Sequence, residues 1–280
     1  MNSVGFRYAI WPSSSIIPMN ATSAAVFAPI VFADNTNSAF QYAGATLISI
    51  SVPEYSDQRS GPIADRLNTK IFPENYPEFG CLGGIRSWGS QGVGGNDGWV
   101  YLLTTDKYGM LLSRTEIGSI ADASSYQYYY ASTQTWSSNM PVAGTDNTFV
   151  NGSFGNADIF YSPKHQTFIM VWEDNYIDNK FLWSYLEAPE PLVPAYDGTD
   201  FVENIIKYSW SPAQTLYQAA APPCSGCYIY SAGVQMGYFE SEDITNGGSS
   251  MLITYTAPTG KDDGSMAGQY SLMSAVVSWD

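Results

Sequence analysis

The sequence predicts an all-β chain, a β-propeller, and three observations carry that expectation. A pair of strand-like runs recurs four times. One run reads VFAPIVFAD at 26–34, WVYLLTTD at 99–106, TFIMVWED at 167–174 and SMLITYTAP at 250–258. Its hairpin partner reads ATLISISV at 45–52, MLLSRTEI at 110–117, KFLWSYLE at 180–187 and YSLMSAVV at 270–277. The copies recur roughly 65 to 90 residues apart, and a long period built from short β-rich runs means repetition of a small sheet. A twisted four-stranded sheet cannot bury both faces alone, so copies stack as propeller blades. Finally, a hydrophobic content of 45% in 280 residues is enough for one sizeable core.

Reading each cassette as strands A to D divides the chain into blades at roughly 1–75, 76–143, 144–213 and 214–280, one propeller domain in all. Blade one takes 5–11 as strand A, a turn at 12–14, the two quoted runs, and then 68–72. Pro29 inside its second strand is tolerable only at an edge or a bulge. Blade two begins near Ile85, turns at 95–98, where Asn-Asp-Gly tolerates positive φ, and ends on 126–136. Blade three runs from 157–161 through a turn at 162–166 to a strand near 208–217. Blade four starts near Gly233 and finishes at Trp279.

Charge excludes some partners. Lys and Arg number 11 against 26 Asp and Glu, a net charge of −15. So acidic a chain repels phosphate backbones and anionic lipid, so neither nucleic acid nor a membrane surface is expected. There is no run of eighteen apolar residues, hence no membrane-spanning helix. Charged residues are only 13%, while aromatics reach 15% with 21 Tyr and 8 Trp, a surface typical of secreted β-proteins. Secretion is therefore the expected localisation, although Met1–Val4 lacks the basic and apolar regions of a signal peptide. A monomer without cofactor is expected. Cys224 and Cys227, in CSGC, either close a small disulfide loop or remain thiols; Cys81 is the odd one. One histidine in the chain leaves no zinc site. The sequons at Asn20 and Asn151 are compatible with N-glycosylation.

In a propeller the A–B turns lie on one face, and the B–C loops with the blade connections lie on the other, around the cavity mouth. His165 falls in an A–B turn, the wrong face for chemistry, so it reads as a turn residue and a Ser-His-Asp triad has no support. The mouth receives Asn156 and Asp158 at the start of an inner strand, then Glu173, Asp174, Asp178 and Asn179 from the following B–C loop. Connections add Glu74, Tyr76, Glu78 and Arg86 before blade two, and Tyr228, Tyr230 and Gln235 before blade four. Carboxylates, amides and aromatic rings converging on a pocket suit a carbohydrate. Asp158 is the first candidate for catalysis, with Asp178 or Glu78 as companion; Asn156, Asn179, Tyr76, Arg86, Tyr230 and Gln235 are candidate sugar contacts. Each has a structural alternative. Asp158 could cap a turn or pair with Arg86, Asp178-Asn179 is a natural turn pair, and Glu173-Asp174 reads better as solvated loop charge. Gly92-Val-Gly-Gly resembles a nucleotide loop, but no helix follows it.

Several segments, RYAIWP at 7–12, NDGWVYLL at 96–103, SIADASSYQYY at 119–129, DIFYSPKHQTF at 158–168, DNKF at 178–181 and MLITYT at 251–256, resemble a group of secreted fungal proteins. These proteins carry a glycoside-hydrolase-like domain of unknown function. The resemblance implies a five-bladed propeller similar to endo-D-arabinanases, with Asp158, Asp178 and Asn179 at positions repeated in that group and Glu173 not among them. Such relatives have more chain ahead of the RYAIWP segment. With four cassettes, this chain is expected to be truncated, four-bladed or an open ring, and a missing blade would remove a catalytic carboxylate. The resulting expectation is a glycoside hydrolase acting on a furanose-containing, arabinan-like polysaccharide through two carboxyl groups. The alternatives are a non-catalytic sugar-binding propeller and a polysaccharide lyase, the latter disfavoured by the shortage of Arg and Lys.

Overall fold

The protein is all-β, a four-bladed β-propeller. The computed structural model describes residues 6–12, 16–20, 22–34, 39–52, 61–87, 98–145, 147–174, 178–194, 200–222, 227–235, 250–258 and 270–278. The chain divides into two compact units, Met1–Gly152 with Ala195–Val202, and Ser153–Pro194 with Glu203–Asp280. Each unit holds two blades. The fifth blade implied by the family resemblance is not found among the described residues.

In the first unit, one sheet is built from β1 (Phe6–Ile10), β2 (Ile17–Pro18), β3 (Ser23–Asp34), β4 (Ala39–Ser51) and β5 (Ile63–Phe72). Its order is β1-β3-β4-β5, with β2 also paired to β3. The second sheet takes β6 (Gly83–Arg86), β7 (Trp99–Thr105), β8 (Gly109–Glu116), β9 (Gln127–Tyr130), β10 (Thr135–Ser137) and β11 (Val150–Asn151). It runs β10-β9-β8-β7-β6, with β11 on β8. The expected single strand at 126–136 is therefore a hairpin of β9 and β10. Gln134, at φ 54°, reverses the chain between them, and Thr133 donates its N–H to the Tyr130 carbonyl at 3.2 Å.

In the second unit, β12 (Ala157–Ser162), β13 (Thr167–Glu173), β14 (Lys180–Tyr185) and β15 (Gln214–Gln218) form a four-stranded meander. A single helical turn, α1 (Asn204–Lys207), precedes β15, so the strand expected from 208 starts later. The last sheet pairs β16 (Tyr230–Val234), β17 (Ser250–Pro258) and β18 (Tyr270–Ser278). All four expected hairpins are present and antiparallel.

The sequence explains why these runs are strands. β7 and β13 are buried on both faces, which is why WVYLLTT and TFIMVWE read as nearly continuous apolar runs rather than alternating ones. β5 alternates weakly and stays exposed until Ile71 and Phe72, as befits an outer strand. Pro29 sits at a bulge: the β3–β4 register shifts between Pro29 and Val31, and the Pro29 carbonyl accepts the Trp11 N–H at 3.2 Å. Opposite that bulge Gly44 adopts φ +107°, and a β-carbon there would press into the Phe72 carbonyl oxygen. The core of the first unit centres on Phe72, whose ring meets Phe27 at 6.2 Å, Phe79 at 5.7 Å and Tyr126 at 5.2 Å. Burying each such ring contributes roughly 1.5–3 kcal/mol. Tyr126 keeps its hydroxyl satisfied by donating to the Ile120 carbonyl at 2.6 Å. The core of the second unit packs Phe160, Ile169, Val171 and Phe181 against Ile229, Met251, Ile253 and Tyr255.

Arg114 is packed among aromatic rings of the first unit, and Tyr101 ties the returning segment to it. Its guanidinium lies 4.4 Å from the Trp99 ring and 4.1 Å from the Trp136 ring, and its Nε donates to Gln127 Oε1 at 2.9 Å. The Tyr101 hydroxyl, 3.4 Å from Arg114 Nη1, donates to the carboxylate of Asp200.

Candidate functional site

The second unit gathers a polar cluster from two adjacent sheets. Register fixes who faces whom. Asp158 stands opposite Val171 across the β12–β13 ladder, and Glu173 donates its backbone N–H to the Asn156 carbonyl at 2.9 Å. Residues opposite one another in a sheet share a face, as do those two apart along a strand, so Asn156, Asp158 and Glu173 project to one side. That side is the one where Phe160, Val171 and Phe181 pack on β16 and β17. All three polar residues are buried, Glu173 fully.

β16 is shaped to meet them. Its register on β17 shifts between Tyr230 and Gly233, and Ser231 adopts φ 55°. A bulge of this kind re-aims the backbone. Here the Val234 N–H donates to Asp158 Oδ2 at 2.7 Å. A β-carbon on Gly233 would sit 3.7 Å from both Asp158 Oδ2 and the Gln235 Nε2, which marks the floor shared by those two groups. Gln235 is oriented from behind, its Nε2 donating to Thr254 Oγ1 at 2.9 Å. Beside Asp158 lies a cavity of about 10 Å³ lined by Asn156, Trp172, Ala232 and Val234, the size of a single water.

The two carboxyl groups differ in their hydrogen bonding. Burial pushes Glu173 up to about 8, and the nearby Ala232 amide draws it back only in part. Neither Glu173 oxygen reaches hydrogen-bond geometry with a protein group. It is therefore protonated at neutral pH. Asp158 instead accepts the Val234 N–H on Oδ2. The solvated-loop reading of Glu173 is thus corrected: it ends β13, on the inward period of Ile169, Val171 and Glu173. No alternation along TFIMVWE marks it, because β13 is buried on both faces.

The other candidates are distributed as follows. Asp178 forms an ion pair with Lys180 and accepts the Lys180 N–H on Oδ1 at 3.2 Å. Asn179, at φ 58°, accepts the Ala219 N–H on its carbonyl at 3.0 Å and the Ile229 N–H on Oδ1 at 3.3 Å. These contacts give the pair a turn-holding job. Tyr230 joins Tyr228 and Tyr270 in an edge-on ring cluster, with centroid distances of 6.4 and 5.7 Å. Tyr76, Glu78 and Arg86 belong to the first unit. Tyr76 closes a turn on Pro73, and the Arg86 Nη1 donates to the Met19 carbonyl at 2.7 Å. Glu78 is half-buried, its carboxyl pushed up to about 8 by burial, and its carbonyl accepts the Cys81 N–H at 3.0 Å. Cys81 is a buried thiol, whereas Cys227 is in a disulfide; Cys224 lies outside the described residues, as do Asn175, Tyr176 and the turn residues Gly95–Asp97. His165 lies exposed in the β12–β13 turn, as expected, its N–H 3.4 Å from Ser162 Oγ. Among the described residues, no group of three or more His, Cys, Asp or Glu side chains is placed to hold a metal ion.

No protein-family model matches the chain, and no curated protein is a significant match to it.

Proposed function

We propose that the protein is a carbohydrate-active propeller, a glycoside hydrolase that uses Glu173 and Asp158 as its carboxyl pair. One observation carries this reading: two buried carboxyl groups, Glu173 and Asp158, project to one face of a sheet, Glu173 pushed up to about 8 by burial and Asp158 accepting the Val234 N–H. Glycosidic cleavage needs two carboxyl groups, a protonated one to release the leaving oxygen and an ionised one to activate water or attack the anomeric carbon. Glu173 takes the first role and Asp158 the second. Asn156 and Gln235 flank them as hydrogen-bonding groups for sugar hydroxyls. Glu173 replaces Asp178 and Glu78 as the companion, because Asp178 is engaged by Lys180. The furanose-containing, arabinan-like substrate rests on the family resemblance alone. The same reading has a secreted monomer acting on poly- or oligosaccharide, and the disulfide at Cys227 supports an oxidising compartment.

A second reading is supported by the small volume beside Asp158, about 10 Å³. It is glycan binding without cleavage. Release of reducing ends from arabinan separates the two. Hydrolysis predicts turnover by the wild-type chain and at least about a hundredfold loss in both Asp158→Asn and Glu173→Gln. Turnover that survives both substitutions discards the assignment, and no turnover from any neutral polysaccharide favours binding alone.

A further inference from the structure

The first unit carries a groove of about 470 Å³ lined by Tyr8, Phe32, Gln41, Tyr42, Glu74 and Asn75. Strand register builds its floor. Tyr8 of β1 stands opposite Phe32 of β3, and Phe32 stands opposite Gln41 of β4, so the three form one row across a single face of the sheet. The Tyr8 and Phe32 rings lie 5.2 Å apart, tilted by 55°. Glu74 and Asn75 come from the connection after β5, a turn closed by the Tyr76 N–H on the Pro73 carbonyl at 3.2 Å. They form a polar wall beside the rings.

Tyr8 is 72% exposed. An ordered strand that leaves so large a ring in water beside a second ring, Phe32, presents a surface suited to being covered in use. The chemistry of the lining says what that something is. Flat rings accept the C–H face of a sugar, the Gln41 and Asn75 amides offer both donors and acceptors, and the Glu74 carboxylate accepts from hydroxyls. None of the lining residues is cationic. Lys70 approaches Glu74 from outside at 3.7 Å, an exposed pair of little strength. With a net charge of −15 on the chain, an anionic ligand such as a uronate is disfavoured. The volume lies within the range of about 300–1,000 Å³ common for small-ligand sites.

We propose that this groove binds a neutral oligosaccharide. It takes from the hydrolase reading only the ligand class, and it needs none of the residues around Asp158. Calorimetric titration with neutral arabino-oligosaccharides, and with oligogalacturonate as the anionic comparison, tests it. The wild-type chain is expected to bind the neutral sugar and not the anionic one. Tyr8→Ala and Gln41→Ala are each expected to weaken binding at least tenfold, with the thermal midpoint of Tyr8→Ala lowered only slightly, since its ring is exposed and loses only the Phe32 contact. Neutral-sugar binding that Tyr8→Ala and Gln41→Ala leave intact overturns the proposal. So does equal binding of oligogalacturonate, absence of binding to neutral sugar, or a concentration-dependent dimer that Tyr8→Ala abolishes, since the rings would then be covered by protein. Failure of the hydrolase reading registers separately, as no reducing ends released.

Discussion

Val234 donates its backbone N–H to Asp158 Oδ2 at 2.7 Å, joining the first strand of one blade to the first strand of the next within the second unit. The bond satisfies a buried donor and orients a carboxylate at the same time. Its two roles can be separated by substitution.

Asp158→Ala leaves the Val234 amide buried without that acceptor, at a cost of about 1–3 kcal/mol. Asp158→Asn keeps an acceptor oxygen and is expected to cost less than half as much. Urea denaturation of the two variants should show this order. Equal losses would mean that the charge, and not the acceptor, holds the blades together.

Glu173 gives stability a pH dependence. Its carboxyl is at about 8 in the folded chain against an ordinary value of 4.5, so between those limits the folded state holds a proton that the unfolded state has released. Stability is then fully present below about 4.5, falls as pH rises, and is lost through about 8. Glu78, pushed by burial to about 8, acts in the same window. Glu173→Gln should flatten the slope of unfolding free energy between pH 5 and 8 in part, and Glu173→Gln with Glu78→Gln should flatten it further. The measurement is a denaturation series across that range.

Arg114 is held by two indole faces at 4.1 and 4.4 Å and by Gln127. A lysine keeps the charge but has no planar group to lie between rings. Arg114→Lys should lower stability by about 1–2 kcal/mol, with a changed near-ultraviolet circular dichroism signal from Trp99 and Trp136. A spectrum and melting midpoint identical to the wild type would refute the clamp.

Legibility in the sequence followed burial. TFIMVWE and SMLITYTAP declared themselves because long apolar runs with β-branched and aromatic residues have few other uses. Where exposure broke the pattern, boundaries slipped: β4 begins at Ala39 rather than at 45, because Phe40 and Tyr42 are exposed and flank a bulge that hydrophobic alternation does not reveal. The β9–β10 reversal hid in Gln134, a residue that seldom takes positive φ. At the candidate site, Asp158 and Asn156 could be picked out because polar residues opening an inner strand are conspicuous. Glu173 was missed because its acidic neighbour Asp174 made the stretch look like a loop. Its burial depends on β16, more than fifty residues further along the chain, and no local pattern encodes that contact.

Gly44 closes one position of the chain to drift. Its left-handed backbone and the carbonyl of Phe72 leave no room for any substituent, and every other coded amino acid brings one. A lineage that loses this hydrogen side chain must first rebuild the pairing of β4 with β5, where Ala45 stands opposite Phe72.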